Sequence, residues 1–266
     1  MKVARFFRSL GGDSSSRAFD DALSRAAKPN LGEQLGRSGV GRQTWRMSAP
    51  VSVYSANEER ANILTHALGT ALSLAGLWVL VSLSVRHGDG WHLAGAAVFG
   101  ISLVTLYAIS TLYHLSRDTM ARQQLRKWDH AGIFLLIAGS YTPFLLVTLR
   151  SSLGWSLFAV VWGLGFAGIA LKFWFAGHFR ILSTAIYIGM GWLVLLVLRP
   201  LLEALPMPGV WLLVAGGLSY TFGAAFYLWR KLPYHHAIWH LFVIGGSVCH
   251  WYAVYEYVVP RAALTG

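Results

Sequence analysis

The chain has 266 residues, of which 55% are hydrophobic and only 12% are charged. Soluble domains carry roughly 25% charged residues, so this composition indicates a membrane protein, as does the mean hydropathy of +0.51. A soluble helix bundle is disfavoured, because a 29.3 kDa chain has too little interior to bury this many long apolar segments.

The first 56 residues are rich in Arg, Ser and Gly. They lack the apolar core of a secretory signal peptide, and Asp13, Asp20 and Asp21 argue against an organellar transit peptide. We therefore predict a disordered basic cytoplasmic tail at 1–56, or a misassigned translation start, followed by a membrane domain at 57–266.

Seven apolar segments follow the tail, and each is close to the roughly 20 residues with which a helix crosses about 30 Å of hydrocarbon. The predicted fold is therefore an all-α membrane protein with a seven-transmembrane helix bundle. The predicted spans lie near residues 61–85, 92–114, 130–149, 153–171, 181–199, 209–229 and 236–258.

The formal net charge of +11 is distributed unevenly, since ten of the 22 Lys and Arg residues lie within residues 1–60. Eight more fall in connections on one side of the predicted bundle: Arg117, Arg122, Arg126, Lys127, Lys172, Arg180, Arg230 and Lys231. The other side carries Arg86, Arg150, Arg199 and Arg261. The positive-inside rule predicts a cytoplasmic N-terminus and an outside C-terminus for a multi-pass protein of the inner cell membrane. The expected partner of these charges is the lipid bilayer and not nucleic acid.

The single cysteine, Cys249, lies in the last apolar segment. An intramolecular disulfide is therefore impossible, and we expect Cys249 to have a packing role.

Ionisable side chains within spans are costly, roughly 2.5 to 3.5 kcal/mol for a charge at mid-membrane, so each requires an explanation. In the predicted topology, four segments bring polar side chains to the same cytoplasmic depth. These side chains are Glu59, Asn62, His66, Ser110, Tyr113, His114, Asp129, His130, His235, His236 and His240. Function is therefore expected at this end of the bundle.

Three of these histidines form a candidate metal site. His236 and His240 are four residues apart, which places them on one helical face, and the topology brings His114 to the same depth. Three imidazoles with a fourth position for water are typical of catalytic zinc, although iron and copper also fit. The alternative for the pair alone is a hydrogen-bonded polar patch. His250 lies too far along the same helix to share the metal, and we expect it to make an interhelical hydrogen bond.

The other polar residues have structural alternatives. Glu59 suits a helix N-terminus, where the helix dipole favours negative charge, and Asn62 and His66 suit hydrogen bonds between helices. Asp129 immediately precedes an apolar run and is therefore also a candidate N-cap, while His130 is expected to be an interfacial or hydrogen-bonding residue.

Several ordered motifs cover almost the whole membrane region. They are ERANILTH from Glu59, STLYH from Ser110, DHAGIF from Asp129, GSYTPF from Gly139 and HAIWHLFV from His236. In these motifs the chain resembles the hemolysin III family, the bacterial branch of the progestin and adipoQ receptor (PAQR) family, which is also similar to the alkaline ceramidases.

The resemblance implies a Zn²⁺ ion near the cytoplasmic face, held by His114, His236 and His240, with Ser110 and Asp129 contacting or orienting a bound water. It also implies a zinc-dependent hydrolase of lipid amide or ester bonds, with Asp129 as proton acceptor and Ser110 as a donor to the oxyanion. The alternative is a non-enzymatic membrane sensor or regulator, or a cytolysin-type protein, in which the zinc is structural.

Overall fold

The computed structural model describes residues 54–174 and 180–260, and almost all of the predicted N-terminal tail lies outside them. Every regular element within these residues is helical, which confirms the predicted all-α class. Seven of the helical spans are long and apolar enough to cross a membrane. They are α1 Ala56–His87, α2 Gly90–Leu115, α3 Thr119–Thr148, α4 Ser152–Trp174, α5 Arg180–Ala204, α6 Met207–Leu228 and α7 His235–Tyr257.

The helices form a closed bundle in which the first and last helices are neighbours. Helix α1 packs against α2, α2 against α3, and α7 against both α6 and α1. Helix α5 contacts α3 and α6, while α4 packs mainly on α3. As a result, the polar beginnings of α1 and α7 and the polar end of α2 lie together.

Large apolar side chains cover the outer surface of the bundle. Leu64, Trp78, Phe166 and Leu196 expose between 60% and 70% of their surface. So much exposed apolar area is unfavourable in water, whereas hydrocarbon solvates it. The surface therefore agrees with the helix lengths, and the chain is a multi-pass membrane protein.

Helix α3 begins at Thr119, well before residue 130, where hydropathy alone puts its start. The Asp118 side chain caps it by accepting a hydrogen bond from the Ala121 N–H at 2.7 Å. The first turns are polar, so a hydropathy pattern does not detect them. Asp129 consequently lies inside the helix, and its interpretation as an N-cap is wrong.

Helices α3 and α5 both depart from regular α geometry, α3 over its last five residues and α5 near its middle. Within α3, the α-helix Thr119–Pro143 continues as a π-helical segment, Phe144–Thr148, where Pro143 cannot donate a backbone hydrogen bond. Within α5, a 3₁₀ segment, Trp192–Val197, joins two α-helical pieces, Arg180–Gly191 and Leu198–Ala204.

Tyr141 of α3 links the two irregular regions. Its hydroxyl lies 3.0 Å from the Met190 carbonyl oxygen and 2.7 Å from that of Gly191, and it accepts a hydrogen bond from the Val194 N–H at 3.0 Å. The phenol thus satisfies backbone groups of α5 where its α-helical hydrogen bonds give way to 3₁₀ ones, and Tyr141 also lines an apolar cavity between these helices.

Candidate metal centre at one end of the bundle

Helix α1 brings one face of polar side chains to the centre. Ser55 and Glu58 form a capping box at its start, which fixes where the first turn begins. Asn62 and His66 follow on the same face and are almost completely buried. Glu59, one turn earlier, reaches the end of α2.

Helices α2 and α7 supply the three histidines that were predicted as metal ligands. Ser110 and His114 are four residues apart on α2, as are His236 and His240 on α7, and all four are buried. One nitrogen from each of the three imidazoles lies within 4.8 Å of the others. The structure thus brings together the three histidines that the sequence identified.

Hydrogen bonds determine the tautomer of His114. Its Nδ1 lies 2.7 Å from Oε2 of Glu59. An ionised carboxylate only accepts hydrogen bonds, so Nδ1 carries the proton and Nε2 keeps its lone pair. This Nε2 is buried and has no hydrogen-bond partner among the described residues.

His240 has the same arrangement with a different partner. Its Nδ1 lies 3.0 Å from the Thr65 hydroxyl oxygen, and that hydroxyl donates its own hydrogen to the Ala61 carbonyl oxygen at 2.8 Å. The hydroxyl therefore accepts from Nδ1–H of His240, which leaves a lone pair on Nε2. Nε2 again has no partner in the described part of the chain.

These unpartnered nitrogens fit a metal ion. Both ring nitrogens of His236, like Nε2 of His114 and His240, are buried without a hydrogen bond within residues 54–174 and 180–260. A buried polar atom without a partner is unfavourable, and a cation that accepts imidazole lone pairs would satisfy one nitrogen in each of the three rings. Histidine ligands whose second nitrogen donates to a carboxylate or hydroxyl are characteristic of metal sites.

Arg122 also supports the centre, and sequence patterns did not identify it as a site residue. Arg122 forms an ion pair with Oε1 of Glu59, and its guanidinium lies 5.0 Å from the Tyr113 ring centroid. Glu59 is therefore held between Arg122 and His114. The sequence indicates only a topological role for Arg122, because nothing in its local pattern shows which carboxylate it meets.

Tyr54 covers the histidines at the end of the bundle. Its ring stacks on that of His236 at 5.1 Å between centroids and lies 6.1 Å from the ring of His114. Burial raises the pKa of Tyr54 well above its ordinary value, so its phenol stays neutral. Tyr54 precedes the predicted membrane domain, and no sequence signal distinguished it from the tail.

Asp129 lies beside the three histidines and does not belong to their group. Its carboxylate is buried, and it lines a cavity of about 240 Å³ together with His236. Among the described residues, the set of ligand atoms within 4.8 Å of one another comes from the three histidines alone. This arrangement favours a role for Asp129 through water over direct ligation.

Several other predicted residues lie at the site without joining the group. Ser110 is fully buried, and its hydroxyl has no hydrogen-bond partner in the described residues. The ring of His66 stacks on His240 at 3.4 Å between centroids. The side chains of Asn62 and His66 make no hydrogen bond to any described residue, so the interhelical hydrogen bonds expected of them are absent there.

His130 and His250 both have hydrogen-bonding roles. Nδ1 of His130 lies 2.6 Å from the Arg126 carbonyl oxygen, and its Nε2 lies 3.3 Å from the Tyr227 hydroxyl. Nε2 of His250 lies 3.4 Å from the Leu213 carbonyl oxygen of α6, which confirms the expected interhelical hydrogen bond.

Two cavities adjoin the centre. The basic cavity is the one of about 240 Å³ and is lined by polar residues that include Tyr54, Tyr113, Asp129, His130, Tyr227 and His236 and five Lys or Arg side chains. The apolar cavity, of about 180 Å³, lies among α3, α5, α6 and α7 and extends from His66 to His250. Tyr227 lines both.

The fold and the site together define a class of protein: a multi-pass α-helical membrane protein with a cluster of three buried histidines at one end of its bundle. Residues 54–251 match the sequence model of the family described as Haemolysin-III related. The chain belongs to this family.

Individual relatives agree with the family match. The chain is 46% identical to Hemolysin-3 of Bacillus cereus over 206 residues, which cover 77% of this chain and 94% of that protein. It is 41% identical to the Hemolysin-3 homolog of Bacillus subtilis (strain 168), covering 78% and 97% of the two chains. A weaker similarity, 29% identity over 76% of this chain and 84% of the other, relates it to the human monocyte to macrophage differentiation factor.

Proposed function

We propose that this protein is a zinc-dependent hydrolase of lipid amide or ester bonds, with its site at the cytoplasmic end of a bundle in the inner cell membrane. The observation that carries the proposal is the arrangement around the three grouped imidazoles. The buried Ser110 hydroxyl lies one helical turn before His114 and has no partner among the described residues, and the buried Asp129 carboxylate lines the basic cavity together with His236. A purely structural zinc site usually has four protein ligands, whereas this group has three.

The histidine set suits zinc because neutral imidazole is one of its preferred ligands and the chemistry requires no change of oxidation state. When bound by His114, His236 and His240, zinc would supply Lewis acidity, which polarises a carbonyl group and makes water a stronger nucleophile. Glu59 and Thr65 support this role because they keep Nδ1 of His114 and His240 protonated and leave Nε2 available.

Asp129 and Ser110 have the chemistry for the remaining tasks. Asp129 would accept a proton from the attacking water as its oxygen bonds to the carbonyl carbon. The Ser110 hydroxyl would donate a hydrogen bond to the developing oxyanion. When the bond to the leaving amine or alcohol breaks, Asp129 would return the proton to the leaving group, so the carboxylate is regenerated.

The apolar cavity provides a place for the acyl chain of a lipid. Its lining is almost entirely hydrophobic, and it reaches His66, whose ring stacks on His240. A substrate chain lying there would bring its polar end toward the histidines. The cavity therefore supports a lipid substrate over a small polar one.

The distribution of basic residues supports the cytoplasmic placement. Arg117, Arg122, Arg126 and Lys127 all lie between the end of α2 and the early turns of α3, beside the histidine cluster. Clusters of Lys and Arg near span ends are retained on the cytoplasmic side, which supports an N-terminus inside the cell and a C-terminus outside.

A second candidate function is a non-enzymatic membrane sensor or regulator in which zinc is structural. The cluster joins α2 to α7, and a metal held there would clamp these helices and contribute to folding stability. The name of the bacterial relatives, Hemolysin-3, describes a third activity, cytolysis, and vesicle permeabilisation by the purified protein tests that activity directly.

The deciding experiment measures lipid products and metal content together. Purified protein is incubated with panels of N-acyl lipids and glycerolipids, and released fatty acids are quantified by mass spectrometry. We expect Asp129→Asn to lower turnover by roughly 10²- to 10⁴-fold and Ser110→Ala by roughly a hundredfold, both with metal content retained.

Ser102→Ala is the matched control, because Ser102 is also buried on α2 but its hydroxyl donates to the Phe99 carbonyl oxygen. If wild type, Asp129→Asn and His240→Ala release identical product across the panels, the hydrolase proposal fails. Metal-dependent stability without turnover would then favour the structural clamp.

A further inference from the structure

The basic cavity carries an excess of positive charge that the bundle itself does not neutralise. Five cationic side chains line it: Arg126, Lys127, Lys172, Arg180 and Arg230. They come from the start of α3, the end of α4, the start of α5 and the connection after α6. Positive-inside topology explains why they lie at this end of the bundle, but not why they converge on one cavity.

Among the described residues, two carboxylates line the same cavity, and one of them is already hydrogen-bonded to the backbone. The two oxygens of Glu58 accept hydrogen bonds from the backbone N–H groups of Ser55 at 2.8 Å and Tyr234 at 3.0 Å. The other carboxylate is Asp129. No salt bridge joins any of the five cations to an acidic group within the described ranges.

Three of the cations are partly buried, which makes the missing counter-charge costly. Lys127, Lys172 and Arg180 are half-buried, whereas Arg126 and Arg230 are exposed. Removing a cation from water without a partner is unfavourable, so an anionic ligand would stabilise the arrangement.

Lys172 and Arg180 are oriented by neutral neighbours. Lys172 Nζ donates to the Ser183 hydroxyl at 2.6 Å, and the Arg180 guanidinium lies 4.2 Å from the Tyr227 ring centroid. Nε of Arg180 is buried and has no hydrogen-bond partner in the described parts of the chain. Both charges are therefore positioned without being neutralised, as in a preformed anion site.

We propose that the basic cavity binds a phosphate group, carried by the lipid on which the centre acts. This inference rests on the proposed hydrolase function for the identity of the lipid as substrate. A phosphate has several strong acceptor oxygens and suits a mixed set of Lys and Arg donors. A neutral ceramide-type lipid would leave these cations unpaired.

The position of Tyr227 favours a lipid phosphate over a free one. Tyr227 lines both cavities, and its ring contacts Arg180. A lipid with its acyl chain in the apolar cavity and its phosphate in the basic cavity would extend past Tyr227 and the histidine cluster. The bond cleaved would then lie between the acyl chain and the charged head group.

Binding is measured on the full chain in nanodiscs of neutral lipid by isothermal titration calorimetry. The probes are dioctanoyl phosphatidic acid, dioctanoyl glycerol and inorganic phosphate. We expect phosphatidic acid to bind much more tightly than the neutral lipid, and both Lys172→Gln and Arg180→Gln to weaken it by roughly tenfold or more. Arg180→Lys, which keeps the charge, should retain more affinity than Arg180→Gln.

Lys231→Gln is the matched control, because Lys231 lies beside Arg230 at the same end of the bundle but does not line the cavity. Inorganic phosphate that binds as tightly as phosphatidic acid would support the phosphate site and assign it to a free anion. The proposal would be overturned if the charged and neutral lipids bound with equal affinity. It would also be overturned if Arg180→Gln and Lys231→Gln lost equal affinity for phosphatidic acid.

Failure of this inference can be distinguished from failure of the hydrolase proposal. Binding without turnover by wild type would leave the phosphate site standing and remove the hydrolase. Turnover of neutral lipids that is unaffected by Lys172→Gln and Arg180→Gln would support the hydrolase and overturn the phosphate site.

Discussion

The carboxylate of Glu59 lies 2.7 Å from Nδ1 of His114 and forms an ion pair with Arg122 through its other oxygen. A single residue thus connects the first two helices, fixes the tautomer of a candidate metal ligand and is itself held by a cation. Glu59 was expected either to interact with the helix dipole or to line the site, and its contacts place it at the site.

Glu59→Gln should weaken metal binding by roughly 10- to 100-fold, since outer partners of histidine ligands typically contribute this much. The neutral amide loses the charge that favours Nδ1–H of His114 and the ion pair with Arg122. Competition with a zinc-selective chelator measures the change. Glu58→Gln serves as control because Glu58 caps the backbone at the start of α1, and the prediction is wrong if the two variants bind metal equally.

Thr65 should have a similar but smaller effect through His240. Thr65→Val keeps the shape of the side chain and removes the hydroxyl that lies 3.0 Å from Nδ1 of His240, so we expect roughly tenfold weaker metal binding. Thr65→Ser should restore it. Thr70→Val is the matched control, because Thr70 is on the same helix and its hydroxyl donates to the His66 carbonyl oxygen and not to a candidate metal ligand. Unchanged affinity in Thr65→Val would contradict the assignment of the His240 tautomer.

Metal removal should destabilise the bundle because the three histidines belong to two helices. At a metal concentration about a thousandfold above Kd, binding stabilises the folded state by about 4 kcal/mol. We therefore expect a chelator to lower the Tm of the wild type in detergent but not that of His114→Ala. His250→Ala should retain the chelator effect, since His250 contacts α6 away from the cluster. A chelator effect that persists in His114→Ala would exclude this cluster as its source.

The features that were predictable from the sequence depend on local patterns. Hydropathy detects spans one at a time, and the four-residue spacing of His236 and His240 determines that they share a helical face. His114 could be added because alternating topology places the end of α2 at the same depth as the start of α7. These steps require no knowledge of which helices touch.

The features that were not predictable depend on contacts between distant segments or on geometry that hydropathy does not register. Tyr54 and Arg122 reach the site only because α1 packs against α7 and α2 packs against both α1 and α3. The start of α3 was missed because its first turns are polar. The apolar cavity is lined by residues of both the π-helical segment after Pro143 and the 3₁₀ segment of α5, and single-residue propensities do not predict either segment.

Close packing between α1 and α2 should make Gly69 sensitive to substitution. A Cβ at this position would lie 2.5 Å from Cδ1 of Tyr107, whose ring is buried and whose hydroxyl donates to Ser247 at 2.7 Å. Gly69→Ala should therefore lower the free energy of unfolding by about 1 to 3 kcal/mol. Gly163→Ala should be neutral or slightly stabilising, because its added Cβ would meet no atom within 4 Å. Thermal denaturation compares the two, and equal Tm values would show that Tyr107 can move aside.

The apolar cavity yields a prediction about substrate length. Ala224 lines this cavity, whereas the adjacent Ala225 is exposed on the outer surface of α6. Ala224→Phe would fill part of the roughly 180 Å³ available, so turnover of long-chain lipids should fall by tenfold or more while turnover of short-chain substrates is less affected.

Ala225→Phe is the matched control, because it adds the same volume on the outer surface, toward lipid, and should leave turnover of both substrates unchanged. Measuring kcat/KM against acyl chain length, with metal content as a check on the centre, separates a filled cavity from a damaged site. If Ala224→Phe lowers turnover equally at every chain length, the acyl chain does not occupy this cavity.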